Sequence, residues 1–526
     1  MTSLIRWKTS KKSALVLGAA AGSLALLASA CSGAANTGDG AGAARTRPVT
    51  LEIGSPVTSL DPAKGSSFAD LSVARTLYDT LVNFAQDGKI IPGLATSWSA
   101  TADSATFHIR KGVSCSDGTA VTPAIVAASL KRFMDPATAA PLRGTVIGTA
   151  STATVTAEAT ANTVTVRLSR PFSQLLPGMT SAYTGIICPA GLKNPSNLLT
   201  HSNGTGAYVA STQVSGSSYT FTARPGYTWG PKFPGEPAGS VPKTLVLKVV
   251  LDDNTAANLM SSNSLDIAAY STTDWKRFAG KKGYTNVTQP QTDTTLVFNE
   301  TSGHVTAEES VRVAISQALE RDGMNGILGN GNGVLESNLG QATYECFDPS
   351  LASFVPKSNP SEASKALKGI DLRIIGSTQL ASGNGTSYLL AQLNAAGAHA
   401  TLRNMNNEAW VTELFSGKND WDLTILGYAN TTNTLLSAAG FSTGQAPPKG
   451  QNLGNVQNPT ASSAYVTATK VAGSAGCVAT TELQKALLQR HDLVPLSAIP
   501  ATVVFSNGTA GSVVKGFVVP SSIRIN

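Results

Sequence analysis

What this chain has little of removes several classes of function. Histidine occurs five times in 526 residues, at His108, His201, His304, His399 and His491. No two of them stand at the spacing of a shared metal, so no metal site is expected. The five cysteines include no C-x-x-C pair, which argues against zinc-ribbon and thioredoxin-like chemistry. No H-E-x-x-H helix and no G-x-x-x-x-G-K-[ST] loop occurs, so the chain reads as a non-enzyme without a cofactor. The glycine-rich run from Gly323 to Gly333 lacks G-x-G-x-x-G spacing and follows no strand; it reads as a loop. Net charge is only +7, and four of those charges stand within the first twelve residues. The three that remain are too few and too dispersed for a nucleic-acid partner.

Long apolar runs are equally scarce, with one exception. Arg6, Lys8, Lys11 and Lys12 precede an apolar stretch from Ala14 to Ala28, the order of a secretory signal peptide, here residues 1–30. The stretch falls short of the roughly 20 residues a spanning helix needs. Leu27-Ala28-Ser29-Ala30-Cys31 resembles a lipobox. That resemblance implies a lipidated Cys31 as the mature N-terminus, holding the protein to the extracytoplasmic face of the cell membrane. Residues 31–47 are rich in Gly, Ala, Ser and Thr and read as a flexible tether, with the folded body starting near Val49. Close to 480 residues then remain, more than one core usually holds, so two or more lobes are expected.

The body mixes periods of two and 3.6, which predicts an α+β chain. Val49–Ile53 alternates as a strand, and Asp70–Phe84 has helical spacing of Leu71, Ala74, Leu77, Tyr78 and Leu81. Ala105–Arg110 and Thr163–Leu168 alternate as strands, and Thr122-Pro123 opens a helix running to Met134. Further strands are expected at Thr152–Ala157, Ile370–Ile375 and Ala400–Leu402, with a helix at Ser387–Ala396.

Short motifs then follow one another in a telling order: Leu60-Asp61-Pro62, Leu77-Tyr78-Asp79-Thr80-Leu81, Ile91-Pro92-Gly93-Leu94-Ala95, Phe107-His108-Ile109-Arg110-Lys111-Gly112-Val113, Ser116-Asp117-Gly118-Thr119 and Ser129-Leu130-Lys131-Arg132. Gly204-Thr205-Gly206-Ala207-Tyr208, Arg224-Pro225-Gly226-Tyr227-Thr228-Trp229, Val311–Arg321 and Trp421–Tyr428 continue the series. The succession resembles the family 5 extracellular solute-binding proteins, the oligopeptide, dipeptide and nickel receptors of ABC importers. This resemblance implies a two-lobed periplasmic-binding-protein-like fold of type II, with α/β-type lobes and an extra inserted domain. Carried onto this chain, lobe I would comprise 48–80, 201–285 and 491–526, the inserted small domain 81–200, and lobe II 286–490. Four cysteines besides Cys31 allow three pairings; these lobe limits favour Cys115–Cys188 and Cys346–Cys477, each within one lobe.

The resemblance also implies a cleft in which a peptide adds as an extra strand. Its walls would be Gly65, Ser66, Ser67 and Phe68 on one side and Leu426, Gly427, Tyr428 and Asn430 on the other. Tyr270 and Trp410, together with Tyr183, are further aromatic candidates. Peptide receptors of the family carry an aspartate just after the Gly-aromatic pair to meet a free α-amino group. Ala429-Asn430 stands there instead, which leaves room for blocked peptides or other amphiphilic solutes, or for Asp420 or Asp422 in that role. The implied partners are a peptide-like ligand and ABC permease subunits, with the receptor a monomer. The rivals are a nickel or metallophore receptor and a sensing lipoprotein uncoupled from transport.

Overall fold

The computed structural model describes residues 47–148, 151–418, 420–429 and 434–526. The expected signal peptide, Cys31 and Asn430 lie outside the described residues. Arg47, expected as the end of the tether, is already fixed: its Nη1 meets Asp266 Oδ1 at 2.8 Å, and its Nη2 donates to the Asn507 carbonyl.

One large mixed sheet runs through the molecule. Its order is His399–Met405, Asp371–Ser377, Leu423–Tyr428, Thr285–Phe298, Leu493–Phe505, Ile267–Tyr270, Val49–Ile53, Thr244–Val249, Ser218–Ala223 and Tyr208–Val214. Two of these strands, Thr285–Phe298 and Leu493–Phe505, are long enough to belong to both lobes. Val503 and Phe505 pack with Val49, Leu51 and Phe221 in the core of lobe I. Leu296, Phe298, Val494 and Leu496 pack with Ile374, Leu389 and Ile425 in lobe II. Between the two cores Pro290 lies opposite Pro500, with a register shift directly after. Neither proline has an N–H to give the ladder, and the bulge bends the strand. The lobes therefore change over in the middle of these two strands, not at the limits 285/286 and 490/491 drawn from the sequence.

The inserted domain is built on an antiparallel sheet, Ala95–Ala100, Ser104–Ile109, Thr163–Leu168 and Ala153–Glu158, with the helix Pro123–Met134 in the same core. Several of the short motifs meet in space. Arg132 grips both carboxylate oxygens of Asp61. Asp79 accepts from Tyr227 OH at 2.7 Å and from Trp229 Nε1 at 3.0 Å. The cysteines are joined as Cys115–Cys188 and Cys346–Cys477.

Two local expectations are corrected. The helix expected over Asp70–Phe84 spans Phe68–Leu77. It starts early because Ser67 and Asp70 form a capping box. It stops at Leu77 because Gly206 N–H takes the Leu77 carbonyl, and Gly204 and Gly206 press so closely on Leu77 and Tyr78 that no Cβ would fit. The glycine-rich loop at Gly323–Gly333 is half helix, Arg321–Leu328. Gly323 there gives the Tyr388 hydroxyl room to sit against the helix.

Candidate functional site at the lobe seam

The site begins with the turn ahead of the Phe68–Leu77 helix. Gly65 is buried, and a Cβ there would lie 2.8 Å from the Tyr183 ring. Tyr183 OH in turn donates to the Ser67 carbonyl at 2.9 Å, so this tyrosine braces the turn. Asp70 accepts from the backbone N–H groups of Thr58, Ser66 and Ser67. Burial works against its carboxylate, but these donors prevail and hold it below the usual carboxylate range. The Ser66 and Ser67 donors expected to face a peptide strand are thus already used. What the turn offers outward is Phe68, 44% exposed, set edge-on to Phe517 with centroids 4.9 Å apart.

Arg75 follows Phe68 by seven residues, on the same helix face. Its guanidinium lies 5.6 Å from the Phe517 ring centroid, and its Nη1 is buried with no hydrogen-bond partner. Phe517 and Lys515 belong to a tight hairpin in which Val514 pairs with Phe517. Lys515 and Gly516 form its two-residue tip, both at positive φ (55° and 75°), the twist that two-residue hairpins favour. Gly516 N–H donates to Gln289 Oε1 at 3.2 Å, which docks the tip on the long Thr285–Phe298 strand. Lys515 Nζ is thereby placed 5.4 Å from the Phe84 ring centroid and 5.1 Å from that of Tyr344. Phe84 comes from the N-terminal side of the seam and Tyr344 from lobe II. Burial pushes the Lys515 ammonium down to about 7; Asp293 opposes the shift and Arg75 adds to it.

Across the seam, Asp293 stands directly opposite Tyr428 on the neighbouring strand. It accepts from Gln341 Nε2 at 2.7 Å and from Tyr344 OH at 2.8 Å. The Glu336 carboxyl is buried in the same cluster. Burial, then the charge of Asp293, raises it well above the ordinary range. Tyr428 OH donates to the Leu339 carbonyl at 2.6 Å, and its ring tilts on Phe441.

The other candidate residues fall elsewhere. Leu426 and Trp410 (6% and 5% exposed) share one core cluster with Val297 and Trp421, and Trp410 Nε1 donates to Thr424 Oγ1. Tyr270 is buried against Phe278 and Met260 in another cluster. A Cβ on Gly427 would lie 3.2 Å from the end of the Leu380 side chain, so that glycine stands close against Leu380. Asp422 is tied to Arg373 and His304, and Asp420 to Arg373. Asp422 is buried in its pair, while Asp420 is exposed. The acid nearest Tyr428 is Asp293, which sequence reasoning missed because 135 positions of chain separate strand partners that meet side by side. Arg75 and Lys515 were missed as well. The one local signal was Lys515-Gly516, a two-residue turn between apolar pairs.

A cavity of about 40 Å³ lies beneath Lys515, its wall including Arg75, Asn83, Phe84, Thr180 and Phe233. A larger groove of about 500 Å³, flanked by Arg224, Tyr227 and Arg524, shares Pro231 and Ser521 with it. No group of three metal-ligating side chains occurs among the described residues, and no helix among them is long and apolar enough to cross a membrane. No G-x-S-x-G elbow is expected from the sequence, yet Gly440 to Gly444 spells that motif. Ser442 sits buried in a short 3₁₀ turn after the helix Leu435–Ala439, without the strand-to-helix setting of a nucleophile elbow.

Comparison with known proteins bears on the family and the fold. The model of the family described as bacterial extracellular solute-binding proteins, family 5 Middle, matches residues 89–446. The glutathione-binding protein GsiB of Escherichia coli O157:H7 is 27% identical over 225 residues, 42% of each chain, so the match spans under half of that relative. A solved substrate-binding protein from Microbacterium hydrocarbonoxydans, complexed with 4-hydroxybenzoate hydrazide, is 32% identical with a TM-score of 0.77. It covers 91% of this chain and 100% of its own. The Helicobacter pylori protein DppA, in complex with the peptide STSA, has a TM-score of 0.74 at 18% identity, covering 92% and 99%; it shares the fold. With two lobes joined by long strands and a family match over most of the body, the chain belongs to the bacterial extracellular solute-binding proteins of family 5.

Proposed function

We propose that this protein is the receptor of an ABC importer, which captures a peptide or peptide-like solute between its lobes and delivers it to a membrane permease. The observation that carries the reading is Lys515, a charged side chain held at the seam between rings contributed from both sides, Phe84 and Tyr344. Opening about the Pro290–Pro500 step would expose Phe68, Arg75 and Lys515 on one wall and Tyr344 and Tyr428 on the other; closing would enclose a solute between them. Lipidation at Cys31 would keep this monomeric receptor beside its permease at high effective concentration.

Residues 47–526 are to be incubated with a mixed peptide pool, and the retained ligands identified by mass spectrometry. Peptides are expected. Retention of non-peptide solutes alone overturns the cargo class. The rings around Lys515 favour a second reading, a small aromatic solute, in keeping with the hydrazide held by the Microbacterium relative. Loss of metabolic palmitate labelling in Cys31→Ala tests the anchor.

A further inference from the structure

We propose that the Cys346–Cys477 bridge is a thiol-sensitive switch: exchange with an extracytoplasmic dithiol opens it, frees the loop that carries Tyr344 and lowers the affinity of the seam for its solute. The affinity half rests on the seam being the solute site; the opening of the loop does not.

The two bridges stand in different surroundings. Cys115 and Cys188 have no exposed surface, whereas Cys346 and Cys477 are both partly exposed, within reach of a small reductant. Cys346 lies two residues beyond Tyr344, whose hydroxyl donates to Asp293 and whose ring faces Lys515. Its φ of 67° is left-handed, a conformation that a residue with a Cβ keeps only when its surroundings hold it there. The loop from Asn338 to Asp348 belongs to no helix or strand. Asn338 and Asp348 close its base with two hydrogen bonds, and the bridge is its covalent tie to the helix Cys477–Gln489. Cutting that tie lets Cys346 leave the left-handed region and Tyr344 swing away from Asp293. Cys346 also lines a small cavity with Ser173 and Gln174 of the inserted domain, where the Ser173 N–H donates to the Thr469 carbonyl at 2.7 Å. The bridge thus sits where the inserted domain meets lobe II.

One thiolate of the dithiol attacks Cys346 Sγ, the S–S bond breaks, and Cys477 leaves as thiolate; the second thiol then attacks the mixed disulfide and expels Cys346. Two electrons and two protons pass from the dithiol, which ends as a disulfide, to the bridge, which ends as two thiols. Cys477 is the better leaving group because it opens a helix of 13 residues, whose N-terminal amides favour a thiolate.

The protein is treated with graded dithiothreitol, free thiols are alkylated, and the cysteines are mapped by peptide mass. Cys346 and Cys477 are expected to label at concentrations that leave Cys115 and Cys188 joined. In the selectively reduced protein, amide exchange is expected to quicken across residues 338–348 and not across the inserted domain. Binding of the mixed peptide pool is expected to weaken about tenfold, the scale of one lost polar contact. Cys346→Ser combined with Cys477→Ser is expected to reproduce both changes and to lose their dependence on dithiothreitol; where that variant does not fold, the reduced native protein carries the test. Equal labelling of both bridges, or unchanged exchange over 338–348 after reduction, overturns the switch. Melting of the whole protein on reduction overturns it too, since the bridge is then a plain staple. Quickened exchange with unchanged peptide affinity overturns the coupling to the seam. Quickened exchange in a protein that binds no peptide even when oxidised supports the opening of the loop and overturns the peptide reading.

Discussion

Asp79 is the residue where three short motifs meet. Its carboxylate lies under the indole of Trp229 and the phenol of Tyr227, and its backbone N–H donates to Thr205 Oγ1. Burial outweighs these donors and raises its pKa to about 6. A carboxyl raised in the folded state stabilises that state when protonated; the gain is full below the unfolded value near 4 and lost as pH rises through 6. Urea unfolding from pH 4 to 7.5 is expected to show a decline worth about 3 kcal/mol that Asp79→Asn lacks. Parallel pH profiles for the two proteins would refute the assignment. Arg312 is a second buried node, with no exposed surface. It donates to the carbonyls of Thr306, Ala307, Arg490 and His491 and pairs with Asp492. Nearby, burial and then the Asp492 charge push Glu300 up to about 8. Arg312→Leu would orphan these groups at a cost of roughly 3–5 kcal/mol, readable as a shifted urea midpoint.

Two elements make the site. The Phe68–Leu77 helix carries Phe68 and Arg75, and its register depends on the Ser67–Asp70 capping box. Ser67→Ala is expected to destabilise by about 1 kcal/mol and to weaken solute binding by loosening the helix that orients Arg75. Unchanged affinity would show that the cap serves stability alone. The Val513–Val518 hairpin is the other element, and its two-residue tip sets Lys515 on the long strands. At this scale the sequence was legible where one period dominates. Thr163–Leu168 and Val49–Ile53 appear with the limits their alternation predicts. The helix expected to reach Phe84 ends at Leu77 because Gly206, far along the chain, captures the last carbonyl. Apolar spacing past Leu77 continued, but no local rule reports such a capture.

For the whole molecule the deciding feature is the pair of strands that pass from one lobe into the other with Pro290 facing Pro500. Lys515 sits against Tyr344 and near Asp293. If the lobes open about this step, as we propose, bound solute shifts the population toward the closed form. Small-angle scattering of residues 47–526 is therefore expected to give a larger radius of gyration without solute than at saturation. Identical curves would count against hinge closure.

The sequence by itself determined the order of strands and helices, the turn chemistry, and a family resemblance carried by motifs in fixed succession. Period, capping and spacing are local properties, and local properties are written along the chain. Only the tertiary structure decided that Asp293 is the acid beside Tyr428, that Trp410 and Tyr270 are core residues, and that Arg75 and Lys515 face one small cavity. Those outcomes depend on which distant segments are pressed together and how deeply each charge is buried. Burial is a property of the assembled surface, so the chain order does not record it.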